Sequence, residues 1–138
     1  MNIEQFLNRI IKWSENQDSI VGLALVGSYA VDKADINSDI DLIIFCVDKR
    51  CYTKQHDWSY KFGDVLKKQK EYYGIVTSIR VWYKDRFEVE FGFTTQEWAE
   101  IPVDQGTRRV VEDGIRVLYD PAGFLLRLIK HLEEEDKC

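Results

Sequence analysis

Asp39 and Asp41 stand one residue apart at the head of an apolar run, Asp39-Ile40-Asp41-Leu42-Ile43-Ile44. In an extended chain, residues i and i+2 project from the same face. The two carboxylates therefore lie side by side, while Ile40, Leu42 and Ile44 turn the other way, into a core. Two like charges at that spacing repel, and each raises the pKa of the other unless a cation sits between them. The pattern predicts a site for a hard divalent cation with oxygen ligands, which suits Mg²⁺. Upstream, the apolar run Ile20-Val21-Gly22-Leu23-Ala24-Leu25-Val26 ends at Gly27-Ser28, with ten residues between Ser28 and Asp39. Glycine at that point lets the backbone approach a ligand closely, a helix starting there would offer N–H groups to phosphate, and Ser28 adds a hydroxyl. A phosphate-binding turn followed by a carboxylate pair is what Mg²⁺-nucleoside triphosphate chemistry requires. One part clamps the phosphates, and the other neutralises the attacking and leaving oxygens.

A third carboxylate would complete a two-metal site, and Phe87-Glu88-Val89-Glu90-Phe91-Gly92-Phe93 offers acids at alternate positions of a strand. Glu90, with apolar neighbours on both sides, carries the higher burial cost and is the first choice; Glu88 on the same face is the alternative. A calcium loop is excluded. Asp35-Ile36-Asn37-Ser38-Asp39 opens like one, but the required glycine is replaced by Ile40 and the closing glutamate by Cys46.

The elements that must hold these residues follow from periodicity. Ile3, Phe6, Leu7, Ile10 and Ile11 form one face of a helix, with Asn2 and Gln5 resembling a capping box. Strands are predicted at 20–26 and 40–47, the latter rich in β-branched residues. A helix is expected from about Lys54 to Lys70, with Trp58, Phe62, Val65 and Leu66 on its apolar side, ended by Gly74. Strands at 75–83 and 86–93 are expected to form a hairpin around Lys84-Asp85. A helix over 105–113, a last strand over 115–119, and a closing helix with Asp120 as N-cap and Pro121 at its first position complete the chain. The fold class expected is α/β (α+β): a mixed sheet of about five strands with helices packed on it, the hairpin arguing against a purely parallel arrangement.

The composition fits one domain, residues 1–138, with 45% hydrophobic and 31% charged residues. A net charge of −5 argues against a protein that grips DNA directly through its overall field. No apolar run approaches the roughly 20 residues of a membrane span. Three unpatterned cysteines favour neither a disulfide framework nor a thiolate zinc site, so a cytoplasmic location is expected. His56 and His131 are isolated, Lys67, Lys68 and Lys70 read as a solvated helix face, and the four tryptophans read as core or groove walls.

Taken together, Gly27-Ser28, the ten-residue gap and Asp39-Ile40-Asp41-Leu42 resemble the signature of the polymerase-β-type nucleotidyltransferase superfamily. Within it, the chain resembles the stand-alone minimal nucleotidyltransferases and the catalytic domains of aminoglycoside adenylyltransferases. Glu90 falls where that superfamily places its third carboxylate. The resemblance spans about residues 20 to 95. It departs from the minimal members at Val31-Asp32, where they often carry Arg-Gly, and in having Glu rather than the commoner Asp at the third position. The resemblance implies a nucleotidyltransferase-like core and an enzyme that moves a nucleoside monophosphate, with ATP the expected donor, onto a hydroxyl of a small molecule or a protein, releasing pyrophosphate. It assigns Gly27 and Ser28 to the triphosphate, Asp39 and Asp41 to both of two Mg²⁺ ions, and Glu90 to the catalytic ion and to activating the acceptor hydroxyl. With no helical acceptor-binding domain after the core, acceptor recognition is expected from a helical partner protein, a second copy in a homodimer, or the segment around Lys54 to Lys70. The rival reading is a non-catalytic, antitoxin-like interaction subunit on the same fold.

Overall fold

The computed structural model describes residues 2–85 and 87–136. Helix α1 spans Ile3–Glu15, and the side-chain oxygen of Asn2 accepts hydrogen bonds from the Glu4 and Gln5 N–H groups at its start. Its stripe of Phe6, Leu7, Ile10 and Trp13 is buried against one face of a six-stranded sheet. The strands are β1 (Ile20–Val26), β2 (Ile40–Cys46), β3 (Val65–Tyr73), β4 (Val76–Tyr83), β5 (Glu88–Thr94) and β6 (Ile115–Tyr119), in the order β3-β4-β5-β2-β1-β6. β2 runs parallel to β5, and every other neighbouring pair is antiparallel. This is the mixed sheet expected, with one strand more than the sequence suggests.

Alternation along the strands divides the core in two. Leu23, Leu25, Ile40, Leu42, Ile44, Phe91 and Phe93 face α1, where an aromatic cluster of Phe6, Trp13, Trp58 and Phe62 fills the layer. Ala24, Ile43 and Phe45 face the other way, under Trp98 and the Phe124, Leu125, Leu128 and Leu132 stripe of the closing helix. A short helix α2 (Arg50–Thr53) follows β2, α3 spans Gln105–Asp113, and α4 spans Phe124–Asp136. Asp104 caps α3 by accepting from the Gly106 and Thr107 N–H groups, and Gly114 ends it.

Three expectations are corrected. The helix from Lys54 to Lys70 does not form: residues 57–62 make a 3₁₀ turn that buries Trp58 and Phe62, and residues 65–73 are the edge strand β3. Leu66, read as apolar-face, is 64% exposed. Gly74, read as a helix stop, is instead the positive-φ residue (φ 63°) of the turn that folds β3 back on β4. The lysine-rich sequence has little strand preference of its own; pairing along the whole edge of β4 determines its state. The closing helix starts at Phe124 rather than Pro121, yet the carboxylate of Asp120 still caps it, accepting from the Leu126 N–H. The hairpin of β4 and β5 forms around Lys84-Asp85, with β5 beginning at Glu88; Arg86, included in the expected strand, lies outside the described residues.

Candidate active site

β1 ends and β2 begins at the same end of the antiparallel pair, so Gly27 and the acidic pair meet there. Val26 pairs with Asp41, Asp41 with Glu90 and Glu90 with Arg80, one continuous row across β1, β2, β5 and β4. Because the register places Glu90 directly opposite Asp41, it is Glu90 and not Glu88 that completes the acidic group. Carboxylate oxygens of Asp39, Asp41 and Glu90 lie within 4.8 Å of one another. Ile40, Leu42, Val89 and Phe91 behind them are essentially inaccessible, so this row rests on a rigid core floor.

Gly27 adopts φ 76° and ψ −156°, a conformation open to glycine and strained for any other residue. A side chain there would also collide with the site, its Cβ lying 2.7 Å from Asp41 Oδ2. Ser28, exposed, opens a single 3₁₀ turn over Ser28–Val31 rather than the longer helix that Gly-Ser suggested.

Three acids this close are costly without a counter-charge. Burial, reinforced by the charges of Asp39 and Glu90, pushes the Asp41 carboxyl up to about 8. Its buried Oδ1 has no hydrogen-bond partner among the described residues. An unsatisfied buried oxygen, a three-carboxylate donor set and a glycine that leaves space beside the acids fit a hard divalent cation such as Mg²⁺.

Arg80 is a site residue the sequence reading missed. Its Nη1 lies 3.1 Å from Asp39 Oδ2 and 2.5 Å from Glu88 Oε2, its Nη2 3.2 Å from Glu90 Oε2, and its Nε 2.8 Å from Glu71 Oε1. Partial burial alone would lower its pKa, but the surrounding carboxylates, Glu71 and Glu88 first, hold it above its ordinary value. The signal available was a lone arginine between Ile79 and Val81 in an otherwise uncharged strand. What it paired with lay in β3, β5 and the approach to β2. Glu88 also accepts from the Trp82 indole at 2.8 Å and Glu71 from the Tyr73 hydroxyl at 2.9 Å.

Beside Asp41 and Glu90 opens a cavity of about 230 Å³, walled by Tyr73, Val76, Ser78, Gly92 and Trp98 among others. Tyr73, Val76, Trp98 and Val110 also line a wider groove of about 530 Å³ that reaches Gly74 and the start of α3. His56 and His131 are not among the acids of this site.

The fold is similar to that of the crystal structure of an aminoglycoside 6-adenyltransferase from Bacillus subtilis, with a TM-score of 0.58 and 15% identity over 72% of this chain. The chain spans 37% of that protein's length. No curated protein sequence matches it. No described helix is long and apolar enough to cross a membrane. The family model for streptomycin adenylyltransferase matches residues 1–106, a stretch holding Gly27, Ser28, the whole acidic triad and Arg80. With its mixed sheet and a metal-binding, nucleotidyltransferase-type acidic triad, the chain belongs to the streptomycin adenylyltransferase family.

Proposed function

We propose that the protein transfers a nucleoside monophosphate, AMP from ATP, to a hydroxyl on a small molecule or protein and releases pyrophosphate. The observation that carries this reading is the register row Val26–Asp41–Glu90, which sets three carboxylates within 4.8 Å beside a glycine turn. Gly27 and Ser28 hold the triphosphate: the glycine keeps the approach to Asp41 clear, and the exposed serine offers its hydroxyl. Asp39 and Asp41 hold two Mg²⁺ ions, and Glu90 shares the catalytic one. When bound there, Mg²⁺ neutralises charge that develops on the attacking and leaving oxygens. Glu90, at the cavity side of the row, orients the acceptor hydroxyl and takes part in removing its proton as the oxygen attacks the α-phosphorus. The cavity beside Glu90 receives the acceptor, with a second copy of the chain or a helical partner protein contributing to its recognition.

Maintaining three acids in mutual repulsion costs stability, which supports a site kept for use rather than a vestige. The test is calorimetric titration of Mg²⁺-ATP, then of the other triphosphates, into the wild type and an Asp39→Asn/Asp41→Asn variant, followed by pyrophosphate release with candidate acceptors. Mg²⁺-dependent binding that disappears in the variant is the expected result. A folded wild type with neither binding nor turnover is the behaviour of a non-catalytic interaction subunit and would sink the proposal.

A further inference from the structure

We propose that Arg80 is the internal counter-ion of the acidic triad: it holds Asp39 and Glu90 in the metal-free protein, must yield them when a divalent cation binds, and withdraws onto Glu71 and Glu88. This rests on the reading of the triad as a metal site.

Five carboxylates, Asp39, Asp41, Glu71, Glu88 and Glu90, gather at one guanidinium and its neighbours. The contacts fall into two sets. Glu71 and Glu88 lie 2.8 and 2.5 Å away, whereas Asp39 and Glu90 lie 3.1 and 3.2 Å away. The guanidinium is thus anchored on the two acids outside the triad and leans on two inside it. Both outer acids are themselves fixed, Glu71 by Tyr73 and Glu88 by Trp82, so they form a prepared seat. A guanidinium has five N–H donors in a rigid fork, enough to exchange partners without leaving its seat.

The reason for such a residue is electrostatic. A half-buried acidic triad without a cation repels itself, and Arg80, 18% exposed on the adjacent strand, pairs with two of its three carboxylates. It leaves Asp41 alone, the residue with the unpartnered buried oxygen. A divalent cation entering beside Asp41 competes with Arg80 for Asp39 and Glu90, and cation and guanidinium repel each other. Occupancy by metal and pairing by Arg80 are therefore opposed. Arg80 sets the metal affinity and keeps the empty site from springing open; it is a positioning residue, not a ligand.

Two variants give opposite signs, which a merely structural role for Arg80 does not. Mn²⁺ alone is titrated calorimetrically into wild type, Arg80→Gln and Glu71→Gln at fixed ionic strength, with thermal unfolding of each in chelator and in Mn²⁺. Removing the competing cation should make Arg80→Gln bind Mn²⁺ about tenfold tighter, a gain of about 1.4 kcal/mol. Its metal-free midpoint should fall and recover with Mn²⁺. Glu71→Gln weakens the outer seat, throws Arg80 back on the triad, and should bind Mn²⁺ several-fold more weakly. Should Arg80→Gln fail to fold, Glu71→Gln decides the matter alone. Equal or weaker binding by Arg80→Gln, or equal or tighter binding by Glu71→Gln, while the wild type binds, overturns this inference and spares the metal reading. Absence of Mn²⁺ binding in all three overturns both.

Discussion

Gly27 and Asp41 are in register-fixed contact: the hydrogen that glycine carries in place of a side chain points at the Asp41 carboxylate, and a Cβ there would stand 2.7 Å from Oδ2. The backbone turn at the end of β1 and the acid at the head of β2 are thus one unit. Either side's geometry presupposes the other.

Gly27→Ala should therefore damage both fold and site. The alanine is strained at φ 76°, at a cost of about 1–3 kcal/mol, and Asp41 must turn out of the triad to admit the methyl group. Gly74→Ala is the control. It too has positive φ (63°), but nothing lies within 4 Å of the added carbon. Denaturant titration should show a loss of stability in both, while calorimetry with Mg²⁺ should show lost metal binding in Gly27→Ala only.

Asp41 also predicts a pH dependence. In the metal-free protein its carboxyl is pushed up to about 8, from an ordinary 3.8, by burial first and by Asp39 and Glu90 next. Between those values the folded chain holds a proton that the unfolded chain has released. The stability it contributes is complete below about pH 3.8 and is lost as the pH rises through about 8. Thermal unfolding in chelator should show the wild type falling relative to Asp41→Asn across that window. Mg²⁺, which needs the carboxylate ionised, should bind more tightly as the pH rises and should remove most of the difference.

Behind the acids, Phe91 is fully buried, with its ring centroid 4.8 Å from Trp58 and 6.0 Å from Phe62. Its neighbour in sequence, Glu90, projects from the opposite face. Phe91→Ala should cost about 3–5 kcal/mol in urea unfolding, through lost burial and a cavity that the aromatic cluster cannot close. Glu90→Gln should leave stability nearly unchanged or slightly raised in chelator, while weakening Mg²⁺ binding. Equal destabilisation by the two would mean that the strand's faces are not divided as described.

The local signals in the chain were enough for much of this. The strands read at 20–26 and 40–47, the Asn2 cap, and the alternation of Asp39 and Asp41 with Ile40 and Leu42 depend on nearest neighbours along the backbone, so periodicity exposes them. They put a glycine turn at the end of one strand and an acid pair at the head of the next. Two matters depended on strands far apart in sequence. Glu88 and Glu90 share a face, and local context could favour Glu90 without deciding for it; the parallel register of β2 and β5 puts Glu90 opposite Asp41, and a shift of two residues would have exchanged them. β3 has no amphipathic pattern to read, its residues ranging from half-buried to exposed, and only hydrogen bonding to β4 makes it a strand. That pairing is also what brings Glu71 to Arg80, and β4 beside β5 is what brings Arg80 to Glu90. The identity of the acids was written in local spacing, but their arrangement around a guanidinium was decided by which strands share an edge. Backbone hydrogen bonding between strands is blind to the side chains it aligns.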